Sequence, residues 1–163
     1  MLFPVLASEP PVRTETRNLA PTRLSTYVPP RADADNPPLV LIAEDHEDSR
    51  DALQTLLEAL GYGVRVAGNG AQAVEVARAT RPDLILMDMM MPEVDGFAAT
   101  RMLRQDEAFR HVPIIAITAM EGARESVLAA GCSDMVLKPV DIRAFLDRLS
   151  VWLAAGRSGP GSA

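Results

Sequence analysis

The sequence predicts an α/β fold, a five-stranded parallel sheet with helices on both faces. Apolar runs of strand length alternate five times with stretches of helical periodicity between residues 39 and 155. The runs are mostly continuous rather than alternating, as expected of strands buried on both sides. Strands that alternate with helices connect by crossovers, which cover both faces of one sheet.

Leu39–Ala43 reads as the first strand. Leu53, Leu56, Leu57 and Leu60 then recur at helical spacing, and Gly61 supplies a stop. Val64–Ala67 is the second strand, followed by an Ala-rich helix over Gly70–Thr80 with Asn69 as its cap. Leu84–Met87 and Gly96–Gln105 form the third strand and helix. Val112–Thr118 is the fourth strand, and Arg124–Ala130 the fourth helix, closed by Gly131. Met135–Leu137 is the fifth strand. In the last helix, capped by Asp141, the residues Ile142, Phe145, Leu146, Leu149 and Leu153 line one face.

The two ends have a different character. Eight of the 13 prolines fall within residues 1–38, among Thr, Ser, Arg and Asp. Such a segment buries too little apolar surface to offset the entropy of ordering, so 1–38 reads as a disordered extension. Its expected role is a partner-binding peptide, through Met1–Ala7 or Leu24–Pro30, the alternative being a flexible tail or an over-extended start. Residues 156–163 read as a second disordered tail, which leaves one domain over 39–155.

The net charge is −6, and residues 39–156 hold 18 acids against 11 bases. That balance argues against a nucleic-acid binder and against a polybasic membrane anchor. Cys132 is the one cysteine, so no internal disulfide forms, and a reducing compartment follows most simply. No apolar run approaches the ~20 residues that span a bilayer. Met1–Ala7 lacks a basic flank and is interrupted by Pro4, unlike a signal peptide. The protein is expected to be cytoplasmic.

Parallel α/β sheets carry their chemistry outside the carboxyl ends of the strands. Here the first strand ends in Glu44 and Asp45, the third in Asp88, the fourth in Thr118 and the fifth in Lys138. Clustered carboxylates repel, and a divalent cation relieves the repulsion. Mg²⁺ suits such oxygen ligands and a phosphate oxygen. Asp88 is then the candidate nucleophile for a phosphoryl group, and Asp45 and Glu44 the metal-holding acids. Lys138 would meet one phosphate oxygen as a point charge, and Thr118 would hydrogen-bond another. Taken singly, Glu44–Asp48 also suits acids complementing a helix N-terminus, and Asp88 or Thr118 a structural role. Lys138 stands out because it is the sole lysine among 16 basic residues.

Residues 39–155 resemble the response regulator receiver domain of two-component signalling. The resemblance rests on Leu-Ile-Ala-Glu-Asp at 41–45 and Pro-Asp-Leu-Ile-Leu-Met-Asp-Met-Met-Met-Pro-Glu-Val-Asp-Gly at 82–96. It continues in Pro-Ile-Ile-Ala-Ile-Thr-Ala at 113–119 and Ala-Ala-Gly-Cys-Ser-Asp-Met-Val-Leu-Lys-Pro at 129–139. It implies a flavodoxin-like 2-1-3-4-5 sheet and phosphorylation of Asp88 by a sensor histidine kinase or a histidine phosphotransfer protein. It further implies Mg²⁺ on Asp45, Asp88 and the backbone carbonyl of Met90, with Glu44 as the outer acid. Thr118 and Lys138 carry over to the phosphate-sensing positions. Output is expected through protein partners, with no enzymatic turnover of its own.

Three departures from the family pattern stand out. Glu44 replaces the commoner Asp. Met135 occupies a place usually held by Tyr or Phe, and the stretch from Thr118 to Gly131 is about two residues short. The last two imply altered switching of the face formed by the fourth helix, fifth strand and fifth helix. Met90 and Met120 lie two residues beyond Asp88 and Thr118, where the family tunes dephosphorylation. His46, His111 and Cys132 are expected to have no chemical role, and Trp152 to pack. The competing functions are a phosphorylation-independent scaffold and a phosphatase of the haloacid dehalogenase type. The phosphatase requires an Asp-x-Asp pair after the first strand, where this chain has Glu44-Asp45-His46.

Overall fold

A computed structural model describes residues 35–157. Of the expected extension over 1–38 and tail over 156–163, residues 1–34 and 158–163 lie outside the described residues, whereas Pro38 is buried and its carbonyl accepts the Gly63 N–H at 3.0 Å. The element order is β1 (Leu39–Ala43), α1 (Glu47–Ala59), β2 (Gly63–Ala67), α2 (Gly70–Thr80) and β3 (Leu84–Asp88). There follow α3 (Gly96–Gln105), β4 (Ile114–Thr118), α4 (Arg124–Ala130), β5 (Asp134–Leu137) and α5 (Ile142–Arg157). A short 3₁₀ turn over Glu107–Phe109 joins α3 to β4.

The strands form one parallel sheet in the order β2-β1-β3-β4-β5. Successive residues of a strand point to opposite faces, and two cores result. Leu41, Ala43, Ile85, Met87, Ile114 and Ala116 face one side, where Ala73, Ala77, Ala99, Leu103 and Val127 of α2, α3 and α4 cover them. Val40, Ile42, Leu84, Leu86, Ile115 and Ile117 face the other, against Leu57 of α1 and Phe145, Leu146, Leu149 and Leu153 of α5. The split of three helices and two follows from right-handed crossovers in a chain that reverses direction between β1 and β3. That reversal opens a crevice at the carboxyl ends of β1 and β3.

The caps fall where the sequence puts them. Asn69 accepts from the Gln72 N–H at 2.9 Å, and Asp141 from the Ala144 N–H at 3.1 Å. Gly131 ends α4 in the left-handed region at φ 116°. Three expectations need adjusting. β4 starts at Ile114 rather than Val112, because Pro113 has no N–H for the ladder and offers only its carbonyl, to the Ile85 N–H at 2.9 Å. Ile142 is exposed, on the rim of a groove shared with Leu53 and Leu56, rather than buried along the apolar face of α5. Helix α5 continues to Arg157, two residues past the expected end.

Candidate phosphoryl and metal site

Each site residue sits at the end of a strand, held there by ladder bonds reaching into its neighbour. The Glu44 N–H, just past β1, bonds the Ala67 carbonyl at 3.0 Å. Asp88 is the last residue of β3, and the next N–H, that of Met89, bonds the Ile117 carbonyl at 3.2 Å. The Lys138 N–H, just past β5, bonds the Thr118 carbonyl at 2.9 Å. Strand pairing therefore brings residues 44, 88, 118 and 138 to one rim.

Glu44, Asp45 and Asp88 each present a carboxylate oxygen within 4.8 Å of the others. Glu44 and Asp88 are buried, whereas Asp45 is exposed. The Lys138 ammonium spans the buried pair, 3.2 Å from Glu44 Oε2 and 3.4 Å from Asp88 Oδ2. The second Asp88 oxygen, Oδ1, accepts the Met90 N–H at 3.0 Å. Thr118 is fully buried, and its hydroxyl oxygen accepts the Met120 N–H at 3.1 Å. A cavity of ≈ 340 Å³ opens over the cluster, lined by Glu44, Asp45, His46, Asp88, Met90 and Lys138.

Electrostatics follow from this crowding. Burial, with the hydrogen bond and repulsion of Asp88, raises the Glu44 carboxyl from 4.5 to about 7 against the opposing pull of Lys138. Burial alone would lower Lys138, but the Asp88 and Glu44 charges prevail and raise it. The cluster is thus short of positive charge. Three hard oxygen donors facing an open cavity suit a cation such as Mg²⁺, which prefers carboxylate and water oxygens.

Glycine at position 96 allows this packing. A Cβ there would stand 2.4 Å from the Asp88 carbonyl and 2.7 Å from the Met89 Cα. Helix α3 therefore starts directly behind Asp88, with Asp95 Oδ1 capping the Ala98 N–H at 2.8 Å.

Sequence reading put Glu44, Asp45, Asp88 and Lys138 in one place, and the structure groups them. Thr118 lies on the neighbouring strand, one residue beyond the Ile117 that pairs with Asp88. Met90 and Met120 are exposed at the rim. Cys132 is buried, 3.7 Å from the Thr100 hydroxyl, and Trp152 is buried against Phe145. Two neighbours of the site escaped sequence reading. Ser49 also lines the cavity, and the Arg50 guanidinium donates to the Glu44 carbonyl at 3.2 Å. Their position in the first turn of the helix after an acidic strand end was the available signal.

Residues 40–150 match the family profile of the response regulator receiver domain. The polar-differentiation response regulator DivK of Brucella anthropi is 40% identical over 119 residues, covering 72% of this chain and 97% of the relative. The receiver domain of the sensor histidine kinase PA1611 from Pseudomonas aeruginosa PAO1, solved with a magnesium ion coordinated in the active site cleft, has 38% identity and a TM-score of 0.68. That match covers 73% of this chain and 99% of the other. A co-crystal of a Saccharomyces cerevisiae histidine phosphotransfer signaling protein with the receiver domain of its downstream response regulator also matches, at 27% identity and TM-score 0.67. It covers 72% of this chain and 90% of the matched one. Sequence motifs, sheet order and likeness agree: the chain belongs to the response regulator receiver domain family of two-component signalling.

Proposed function

We propose that this chain accepts a phosphoryl group on Asp88 from a sensor histidine kinase or a histidine phosphotransfer protein, in a Mg²⁺-dependent reaction, and signals through protein partners. The carrying observation is the Lys138 ammonium between Glu44 and Asp88, beside a third carboxylate, under an open cavity. The magnesium in the cleft of the Pseudomonas receiver domain and the phosphotransfer partner in the yeast co-crystal support the same reading.

Asp45, Asp88 and the Met90 carbonyl would hold Mg²⁺, with Glu44 as the outer acid. Bound there, the ion would supply positive charge to offset that on the phosphoryl oxygens. An Asp88 carboxylate oxygen forms the new bond to phosphorus while the phosphorus–nitrogen bond of the donor phosphohistidine breaks, the pair leaving on the imidazole nitrogen. Lys138 turns from the free carboxylate to a phosphoryl oxygen. The Thr118 hydroxyl donates a hydrogen bond to another oxygen and still accepts from the Met120 N–H. The product is a phosphorylated signalling protein, so the chain acts as an acceptor rather than as an enzyme with a released product. No described helix is long and apolar enough to cross a membrane. A cytoplasmic location is part of the proposal.

Intact mass after incubation with acetyl phosphate and Mg²⁺ tests this. A single phosphoryl adduct is expected on the wild type and none on Asp88→Asn or without Mg²⁺. An unmodified wild type that also ignores Mg²⁺ in thermal melts would leave a phosphorylation-independent scaffold as the function.

A further inference from the structure

Beside the acceptor cavity, an apolar groove of ≈ 260 Å³ opens between α1 and α5. Leu53 and Leu56 of α1 form one wall, Ile142 of α5 and the Pro139–Val140 connection the other, and Ile117 the floor. Leu53 and Leu56 are only half-buried and Ile142 is 40% exposed, so apolar surface is left facing water here. Glu44, Ser49 and Lys138 line this groove and the acceptor cavity alike. Whatever fills the groove therefore lies against the Lys138 side of the acceptor cavity.

The chain carries an occupant of fitting chemistry. Met1-Leu-Phe-Pro-Val-Leu-Ala7 has no charged or polar side chain, whereas residues 8–34 hold four arginines and three acids. A cavity of about 150 Å³ holds a benzene ring, so this groove admits one ring and one aliphatic side chain, as Phe3 and Leu6 would supply. Pro4 fixes its own φ and biases Phe3 to an extended backbone, which reduces the entropy lost on docking. In an extended helix of three residues per turn, Phe3 and Leu6 share one side. Arg13 and Arg17 follow the apolar stretch, and the exposed acids Asp48 and Asp51 sit next to the groove residues Ser49 and Ala52 on α1.

Reach is sufficient as well. The described chain enters at the amino edge of the sheet, where Pro38 pairs with Gly63, and the groove lies towards the carboxyl edge, beside Glu44 and Lys138. Pro38 to Glu44 spans about 20 Å at strand rise. Residues 8–34 span up to about 90 Å when extended. A tether of this length holds its end at an effective concentration on the order of 1 mM, so even a weak intrinsic affinity fills the groove.

We infer that Met1–Ala7 folds back onto its own domain and fills the groove between α1 and α5, closing the Lys138 side of the acceptor cavity. The docking stands on the groove and the segment alone; the closure rests on the phosphoryl-acceptor reading of Asp88. The segment is then a tethered competitor for one side of the site, and phosphoryl donors enter faster when it is released.

The test for docking uses the full chain with Phe3 replaced by benzoylphenylalanine, a photo-crosslinking analogue. Irradiation at low protein concentration should join position 3 to residues 53–56 or 139–142 of the same chain, as mapped by mass spectrometry. Ile142→Glu, at the exposed rim, should reduce that crosslink several-fold while its thermal melt shows the fold retained. Crosslinks scattered over the domain, or indifferent to Ile142→Glu, overturn the docking. Crosslinks that join two chains and grow with concentration overturn it in favour of a second copy. For the closure, acetyl phosphate adducts are timed with Mg²⁺ in the wild type and in Phe3→Ser/Leu6→Ser. Occupancy of about a half to four-fifths makes the initial rate about two- to fivefold higher in the variant. Equal rates overturn the closure. Absence of any adduct on both overturns the acceptor reading and the closure with it, and the crosslink still decides the docking.

Discussion

The Lys138 ammonium lies 3.4 Å from the Asp88 carboxylate across 50 residues of chain, and it is shared with Glu44 at 3.2 Å. One cation thus compensates two buried anions. Removing it leaves both without a counter-charge, which costs more than the pair contributes by existing. Lys138→Met is expected to lower the stability of the metal-free protein by about 1–3 kcal/mol, discounted for the partial exposure of the lysine. Urea titration without Mg²⁺ checks this, and an unchanged midpoint would mean that the ion pair is not formed in solution.

The raised carboxyl of Glu44 fixes the sign of a pH effect. Its folded value of about 7 exceeds the ordinary 4.5, so the fold favours the protonated form. The resulting stability is fully present below about 4.5 and is lost as pH rises through 7. The metal-free protein should therefore be less stable at pH 8 than at pH 5.5, by on the order of 1–3 kcal/mol from this group. Glu44→Gln should flatten the profile.

Mg²⁺ acts in the opposite direction, because it favours ionised ligands and binds only the assembled site. Its stabilisation should grow from pH 6 to pH 8 in the wild type. Asp88→Asn should stabilise the metal-free protein and shrink the gain from Mg²⁺. Thermal melts over a Mg²⁺ series decide it, and a wild type indifferent to Mg²⁺ would count against an assembled site.

Asp134 has the reverse linkage. Burial pushes its carboxyl up, but the Met135 N–H, Arg148, Trp152 and Arg124 together outweigh burial and hold it below the usual value. Its contribution is present above the ordinary value of 3.8 and is lost as pH falls through the lowered one. Asp134→Asn should remove that part of the acid transition and shift Trp152 emission at neutral pH. Acid unfolding followed by fluorescence reports both.

Gly96→Ala places a methyl group 2.4 Å from the Asp88 carbonyl. The clash is with backbone, which cannot swing aside. A loss of about 1–3 kcal/mol is expected. Phosphoryl adduct formation should slow at the same time, since Asp88 must shift. Wild-type adduct kinetics in a destabilised variant would show that α3 moves instead of β3.

Much of the fold was legible because its signals are local. The apolar run Leu39–Ala43 and the caps Asn69, Asp141 and Gly131 act within a few residues of themselves. Ile142 was misplaced because helical spacing marks a face but not where the covering sheet stops. Asp134 escaped notice for a related reason. An acid before a strand reads as loop chemistry, and its donors arrive from 10, 14 and 18 residues away.

The sequence by itself determined the alternation of strands and helices, and the position of Glu44, Asp45, Asp88, Thr118 and Lys138 at strand ends. Hydrophobic periodicity and capping are short-range, so they survive in a one-dimensional reading. Only the tertiary structure decided which helices cover which face, that Lys138 reaches both Glu44 and Asp88, and that Asp134 gathers α4 and α5. Those contacts join residues up to 94 positions apart, and they exist because strand order and register, settled by burying two apolar faces at once, bring the strand ends side by side.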